Sequence, residues 1–411
     1  MKYFWTFFVF FLTVLPLRAQ EDSAMEQLEE TVSIEADSVP AWLRWPRNVQ
    51  ARIDRIVQDP LADISQLGLM VWDLTADSAI YRYYDRQLMR PASTMKLVTA
   101  ITALDRLGSN YNFYTSYYYS GQIANGTLSG DIYVVGGMDP MLDRADLQAM
   151  VTELRLLGID TIRGSLVADV TMKDTLKWGE GWCWDDENPT LSPLTLGRDT
   201  QFLERLAVIL ADSGVVADSL SLQERAKPAD AVLIGVRQHT LDQVLQKMMK
   251  DSDNFYAECV LYQTAASSGH RPAKASDAFA LTRRLINSIG FNGNDYRLAD
   301  GSGLSLYNYV SPELMVALLR YSWRHPGIYQ HLAPSLPIAG QDGTLKKRMR
   351  RSAAEGNVRA KTGTLTGIVS LAGYLTAANG HEICFCIINQ GVMSSRSGRN
   401  LQDRICNALC E

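Results

Sequence analysis

Three short patterns, each occurring once, combine residue types that can carry out acyl transfer: Ser93-Thr94-Met95-Lys96, Ser252-Asp253-Asn254 and Lys361-Thr362-Gly363. A serine hydroxyl is a poor nucleophile until a base takes its proton. Lysine can be that base when burial or a nearby cation populates its neutral form. Taken singly the patterns are weak, because Ser-x-x-Lys also fits a helix cap followed by a surface lysine. Here Pro91 precedes the helix start, and positions three apart share a helix face. The Lys96 amine therefore reaches the Ser93 hydroxyl. A helix N-terminus favours an oxyanion at the Ser93 backbone N–H and disfavours a second positive charge. Lys361 supplies a nearby cation and, with Thr362, a dock for a substrate carboxylate. Gly363 has no side chain, so a ligand is expected to lie against that strand edge. Ser252 can pass a proton to a leaving amine, and Asn254 can bond both lysine and substrate amide.

The elements that must position these groups read as a mixed α/β pattern. Leu97, Ile101, Leu104 and Leu107 form one stripe, which predicts a helix over 94–107 closed by Gly108. Strands are predicted over 67–74, 79–84, 114–119, 128–135 and 165–170, with Asn125 and Gly126 marking a turn. Helices follow at 147–157, 202–210, 241–250 and 278–289. Near the end, strands 368–375 and 382–388 flank Asn379-Gly380, a hairpin signal. A closing helix carries Leu401, Ile405 and Leu409. No internal repeat is present.

A length of 411 residues suggests two domains, or one large core with an insertion. With 46% hydrophobic and 21% charged residues the composition is that of a globular protein. A formal net charge of -5 argues against a protein that grips nucleic-acid backbones. Residues 1–19 read as an export signal: Lys2, an apolar stretch, then Pro16 and the small Ala19. That stretch holds about 14 residues, roughly 21 Å as a helix against about 30 Å of hydrocarbon. Cleavage near Ala19–Gln20 is expected, leaving no transmembrane span, with an uncleaved anchor as the alternative. Residues 20–39 form an acidic, solvated leader. The six cysteines read as buried thiols or one or two disulfides, and neither they nor the five histidines have metal-ligand spacing. No metal or organic cofactor is expected.

The ordered triplet resembles the serine penicillin-recognising enzymes. The likeness extends to Pro91-Ala-Ser-Thr-Met-Lys96, Gly137-Met-Asp-Pro140, Gly181-Trp-Cys-Trp-Asp-Asp186, Asp300-Gly-Ser-Gly-Leu-Ser305, Leu336-Pro-Ile-Ala-Gly-Gln-Asp-Gly343 and Val358-Arg-Ala-Lys-Thr-Gly-Thr364. Together they are similar to the class C low-molecular-mass penicillin-binding proteins, which are D-Ala-D-Ala carboxypeptidases and endopeptidases. The resemblance implies an α/β (α+β) fold, a transpeptidase/β-lactamase-like sheet flanked by helices with one inserted mixed domain. The enzyme domain would span 40–113 and 228–411, and the insertion 114–227. It implies acylation of Ser93, Lys96 as general base, and Ser252 and Asn254 as the second motif. Lys361 and Thr362 would hold the peptide's terminal carboxylate, beside Gly363. The N–H groups of Ser93 and Thr364 would form the oxyanion hole.

Asp186 matches an aspartate that reaches toward the substrate's side-chain amine, although a loop carboxylate serving local donors fits it equally well. Asp300 is expected to shape a turn. Two departures, Leu306 and Thr366, leave the preferred stem peptide open, and the 159 positions between Ser93 and Ser252 imply a short insertion. The implied partners are peptidoglycan stem peptides, with β-lactams as covalent inhibitors, in the periplasm or cell-wall space. A β-lactamase and a catalytically weak binding module are the competing readings. No Glu-x-x-x-Asn loop of the class A lactamases is evident, and the intact motif residues argue against the module. The run Lys346, Lys347, Arg348, Arg350, Arg351 reads as a solvated face, with steering of an anionic wall polymer as the alternative.

Overall fold

The computed structural model describes residues 44–411 except 187, 218 and 219. The expected signal (1–19) and acidic leader (20–39) lie outside the described residues. The chain divides into two compact units, Met1–Arg52 and Ile53–Glu411, and every element below belongs to the second.

Among the described residues fourteen strands follow in chain order: β1 (Gln66–Asp73), β2 (Ser78–Tyr83), β3 (Asn112–Tyr119), β4 (Gln122–Ala124), β5 (Thr127–Ser129), β6 (Ile132–Val135) and β7 (Thr161–Arg163). They continue as β8 (Ser165–Asp169), β9 (Val216–Ala217), β10 (Ser221–Glu224), β11 (Val232–Thr240), β12 (Arg359–Leu365), β13 (Ile368–Thr376) and β14 (Glu382–Gln390). The first sheet has the order β12-β13-β14-β1-β2. All its neighbours are antiparallel, and β14 pairs with β1, which joins the last three strands in sequence to the first two in one sheet. Strands β13 and β14 are buried along almost their whole length, the signature of a sheet covered on both faces. The helix Pro312–Arg324 packs on β14 and β1, and the helix Ser395–Cys410 packs on β13. There a Cβ on Gly398 would come within 2.4 Å of Val369, so the small residue permits the close approach.

The helix Met95–Leu107 lies in the interior of this unit. Leu97, Val98, Ile101 and Leu104 share one apolar core with Val244 and Met248 of the helix Leu241–Lys250, Phe255 and Val260 of the helix Asn254–Ala266, and Leu314 and Leu318. The chain enters the helix buried and leaves it at Gly108, whose φ of +82° suits a residue without a Cβ.

A second sheet has the order β10-β8-β6-β3-β11, and a smaller one the order β4-β5-β7-β9. The helices Arg144–Leu156 and Phe202–Asp212 share a separate core with the larger of these sheets, built on Ile132, Val134, Leu147, Val151, Leu166, Phe202 and Leu206. Its edge strand β11 starts at Val232, beyond residue 227, and pairs with β3 rather than with the first sheet. The single strand expected over 128–135 is two strands in different sheets. Gly130 and Asp131 divide them. A Cβ on Gly130 would lie 1.8 Å from the Ser120 carbonyl, and Asp131 turns to accept from the Ser165 N–H at 2.7 Å.

Candidate active site

Ser93 sits in a single 3-10 turn, Ala92–Thr94, that runs straight into the helix Met95–Leu107. The turn is entered through Ala92 at φ +48°, a left-handed conformation that a non-glycine residue adopts only when its surroundings hold it. They do so through the Pro91 carbonyl, which accepts from Thr94 Oγ1 and Ser370 Oγ, both at 2.6 Å. Gly303 also packs on this turn, because a Cβ there would fall 1.9 Å from the Ala92 carbonyl.

Lys96 is fully buried, and its amine has three acceptors: Ser93 Oγ at 3.1 Å, Asn254 Oδ1 at 2.6 Å and the Ser302 carbonyl at 2.8 Å. Three is all an ammonium can use. Burial pushes this amine down to about 8, against the opposing pull of Asp300, Glu258 and Asp253. About a tenth of such amines are neutral at pH 7, far more than for an exposed lysine.

Ser252 lies between two helices at φ +61°, a second strained residue at the site. Asp253, between the two motif side chains, is a helix cap: it accepts from the Tyr256 N–H at 3.2 Å and pairs with Arg198 at 2.7 Å. Lys361, on β12, is also fully buried and donates to Ser252 Oγ and the Thr362 carbonyl, both at 2.8 Å. Burial first, and the Lys96 charge second, hold this amine well below its ordinary range. The three motifs therefore converge. Ser93, Ser252, Thr362 and Thr364 line one cleft of about 540 Å³, together with Gly343, Thr344, Lys346, Lys347, Arg348 and Arg399.

Gly363 is needed for a reason other than ligand access. A Cβ there would lie 2.1 Å from Ser370 Oγ and 2.9 Å from both the Pro91 carbonyl and the Ser93 nitrogen. The missing side chain lets β12 press against the nucleophile's turn. Asp186 is not among the residues lining the cleft. Its Oδ2 accepts from the Cys183 N–H at 2.7 Å, a local loop contact. Asp300 does shape a turn: its oxygens accept from Trp182 Nε1, Ser302 Oγ, Asn308 Nδ2 and the N–H groups of Gly303 and Ser305, at 2.7–2.9 Å.

Sequence reasoning did not single out Glu258. This carboxyl is buried one helical turn beyond Asn254 and accepts from the Gly301 and Ser302 N–H groups, each at 2.9 Å. Burial, then the charge of Asp300, pushes it up to about 8. Its hold on Ser302 fixes the carbonyl that receives Lys96. The available signal was the i, i+4 spacing from Asn254, which places both on one helix face.

Residues 49–196 and 196–410 match the D-Ala-D-Ala carboxypeptidase 3 (S13) family. The chain belongs to this family. Among curated members, the D-alanyl-D-alanine carboxypeptidase of an Actinomadura species is 29% identical over 458 aligned positions, covering 87% of this chain and 84% of the relative. The D-alanyl-D-alanine carboxypeptidase DacB of Haemophilus influenzae is 27% identical, covering 79% of this chain and 85% of the relative. The crystal structure of penicillin-binding protein 4 from H. influenzae superposes with a TM-score of 0.78 at 25% identity, over 87% of this chain and 98% of that one. A predatory peptidoglycan endopeptidase from Bdellovibrio bacteriovorus shares the fold, with a TM-score of 0.54 at 18% identity over 81% of this chain and 88% of that one. The resemblance carried by the motifs is thus borne out for this D-Ala-D-Ala carboxypeptidase family member.

Proposed function

We propose that this chain is an exported serine D-Ala-D-Ala carboxypeptidase of peptidoglycan stem peptides, with the motif residues in the following roles. Ser93 Oγ attacks the carbonyl carbon of the penultimate D-Ala while Lys96 Nζ takes the hydroxyl proton. The N–H groups of Ser93 and Thr364 bind the developing oxyanion. The peptide C–N bond breaks, and the departing amine receives a proton through Ser252. Water then hydrolyses the ester and frees Ser93. Lys361 and Thr362 dock the terminal carboxylate, whose charge draws the Lys361 amine back to its protonated form. A β-lactam enters the same sequence, and its ring-opened acyl group stays on Ser93.

The single observation that carries this reading is the 3.1 Å approach of a buried, partly neutral Lys96 amine to the Ser93 hydroxyl. The region between β3 and β11 acts as the inserted domain in this proposal. Asp186 makes at most a minor contribution from its loop. Export rests on the signal pattern of residues 1–19, and sequencing the N-terminus of the secreted form tests it. Activity is tested by following D-Ala release from a pentapeptide muropeptide. Ser93→Ala should lower kcat/KM by about a thousandfold or more, and a variant that retains release overturns the assignment.

A further inference from the structure

The cleft carries a charge pattern that the acyl-transfer step does not use. Four of its ten lining residues are cations and none is a carboxylate, in a chain whose formal net charge is -5. Arg348 is neutralised by Asp403 at 2.6 Å. Lys346, Lys347 and Arg399 are exposed, and among the described residues no carboxylate pairs with them. Arg399 donates to Thr364 Oγ1 at 3.2 Å, while Thr362 Oγ1 donates to Thr344 Oγ1 at 2.8 Å, so the cations share a wall with the third motif.

That wall is held in place. Lys250 Nζ bonds Asp342 Oδ2 at 2.7 Å and the Leu336 carbonyl at 2.6 Å. Gly343, at φ +51°, packs so tightly that a Cβ would come within 2.7 Å of the Lys250 carbonyl. The remaining basic residues of the run, Arg350 and Arg351, are exposed and do not line the cleft.

A simple D-Ala-D-Ala substrate brings one carboxylate to this end of the cleft, and Lys361 with Thr362 accounts for it. Three further cations in close company repel one another unless an anion lies among them. We propose that Lys346, Lys347 and Arg399 form an anion subsite for the leaving group. It selects substrates whose departing residue carries a carboxylate besides the one docked at Lys361 and Thr362. The inference rests on the acyl-transfer reading above and names the leaving-group class of that site: an acidic D-residue, or the carboxylate-bearing peptide released when a cross-link is cut.

The test compares kcat/KM of the full chain on N-acyl-D-Ala-D-Glu and N-acyl-D-Ala-D-Gln, leaving groups of equal shape that differ by one charge. N-acyl-D-Ala-D-Ala serves as the reference. The D-Glu substrate should be preferred by about tenfold at low salt, mostly through KM, since each exposed pair contributes little alone. The ratio should fall toward one as salt is raised to about 0.5 M, and also in the double variant Lys346→Gln, Lys347→Gln. Arg399→Gln should reduce it by about threefold. A wild-type ratio of one, or a double variant that keeps the full tenfold preference, overturns the subsite. Absence of release from all three substrates overturns the reading beneath it, and the subsite with it.

Discussion

At the residue scale, the chemistry depends on two lysines taken out of water and set against each other. Both are fully buried, and both amines are pushed below their ordinary range, Lys96 to about 8. A base must be neutral to accept a proton, so kcat/KM should rise about tenfold per pH unit below the Lys96 midpoint and level off above about pH 8. A profile that is flat from about pH 6 to 9 contradicts this role. Glu258 supports the same lysine at one remove. Gln at this position keeps an acceptor for the Gly301 and Ser302 N–H groups, so Glu258→Gln should retain activity within severalfold. Glu258→Ala leaves two buried donors unpaired, about 2–4 kcal/mol less stable, and should lower kcat more than it raises KM. Thermal melts and steady-state kinetics of the two variants decide it, and an alanine variant equal to wild type refutes the positioning role. The three motifs were legible because serine, lysine and asparagine in that order point to one chemistry. Glu258 was not, because its one signal, the i, i+4 spacing from Asn254, depends on a helix that no apolar stripe announces. Asp186 was named for its place in a motif, but its carboxylate serves the backbone of its own loop.

At the element scale, the site is the meeting of a helix start, a helix-helix junction and a sheet edge. Strand β12 reaches Ser93 only because Gly363 has no side chain. Gly363→Ala should therefore force β12 away from the turn, destabilise the protein by about 1–3 kcal/mol and slow acylation by a β-lactam at least tenfold. Stopped-flow acylation and a melting curve check this, and acylation at the wild-type rate means that the close approach does not matter. The helix Met95–Leu107 was readable from its apolar stripe, and the β13–β14 hairpin from the Asn379-Gly380 turn between two strand-like runs. The helix Asn254–Ala266 was not readable, because eleven of its thirteen residues are buried and no stripe distinguishes a face. The break at Gly130 and Asp131 was hidden for a related reason: the apolar residues on either side continue the same alternation into a different sheet.

At the scale of the whole molecule, the two apolar cores described above are separate, and no disulfide joins them among the described residues. All six cysteines are free, Cys183 is exposed, and the other five are buried with thiols raised by desolvation where a shift is resolved. A thiol reagent should therefore modify one cysteine per native molecule and six after unfolding. A second fast-reacting thiol would show that a core is looser than this packing. Length pointed to two domains or to one large core with an insertion, but the edge at β11 depends on long-range pairing that no local pattern reports. Distant stretches of chain fold so that one serine, made nucleophilic by one buried lysine, is acylated. The most direct measurement is mass spectrometry of the protein after brief exposure to a penicillin. One adduct of the intact drug's mass is expected, located at Ser93 and absent from Ser93→Ala and from Lys96→Ala over the same interval. An adduct on another residue, or undiminished labelling of Lys96→Ala, contradicts it.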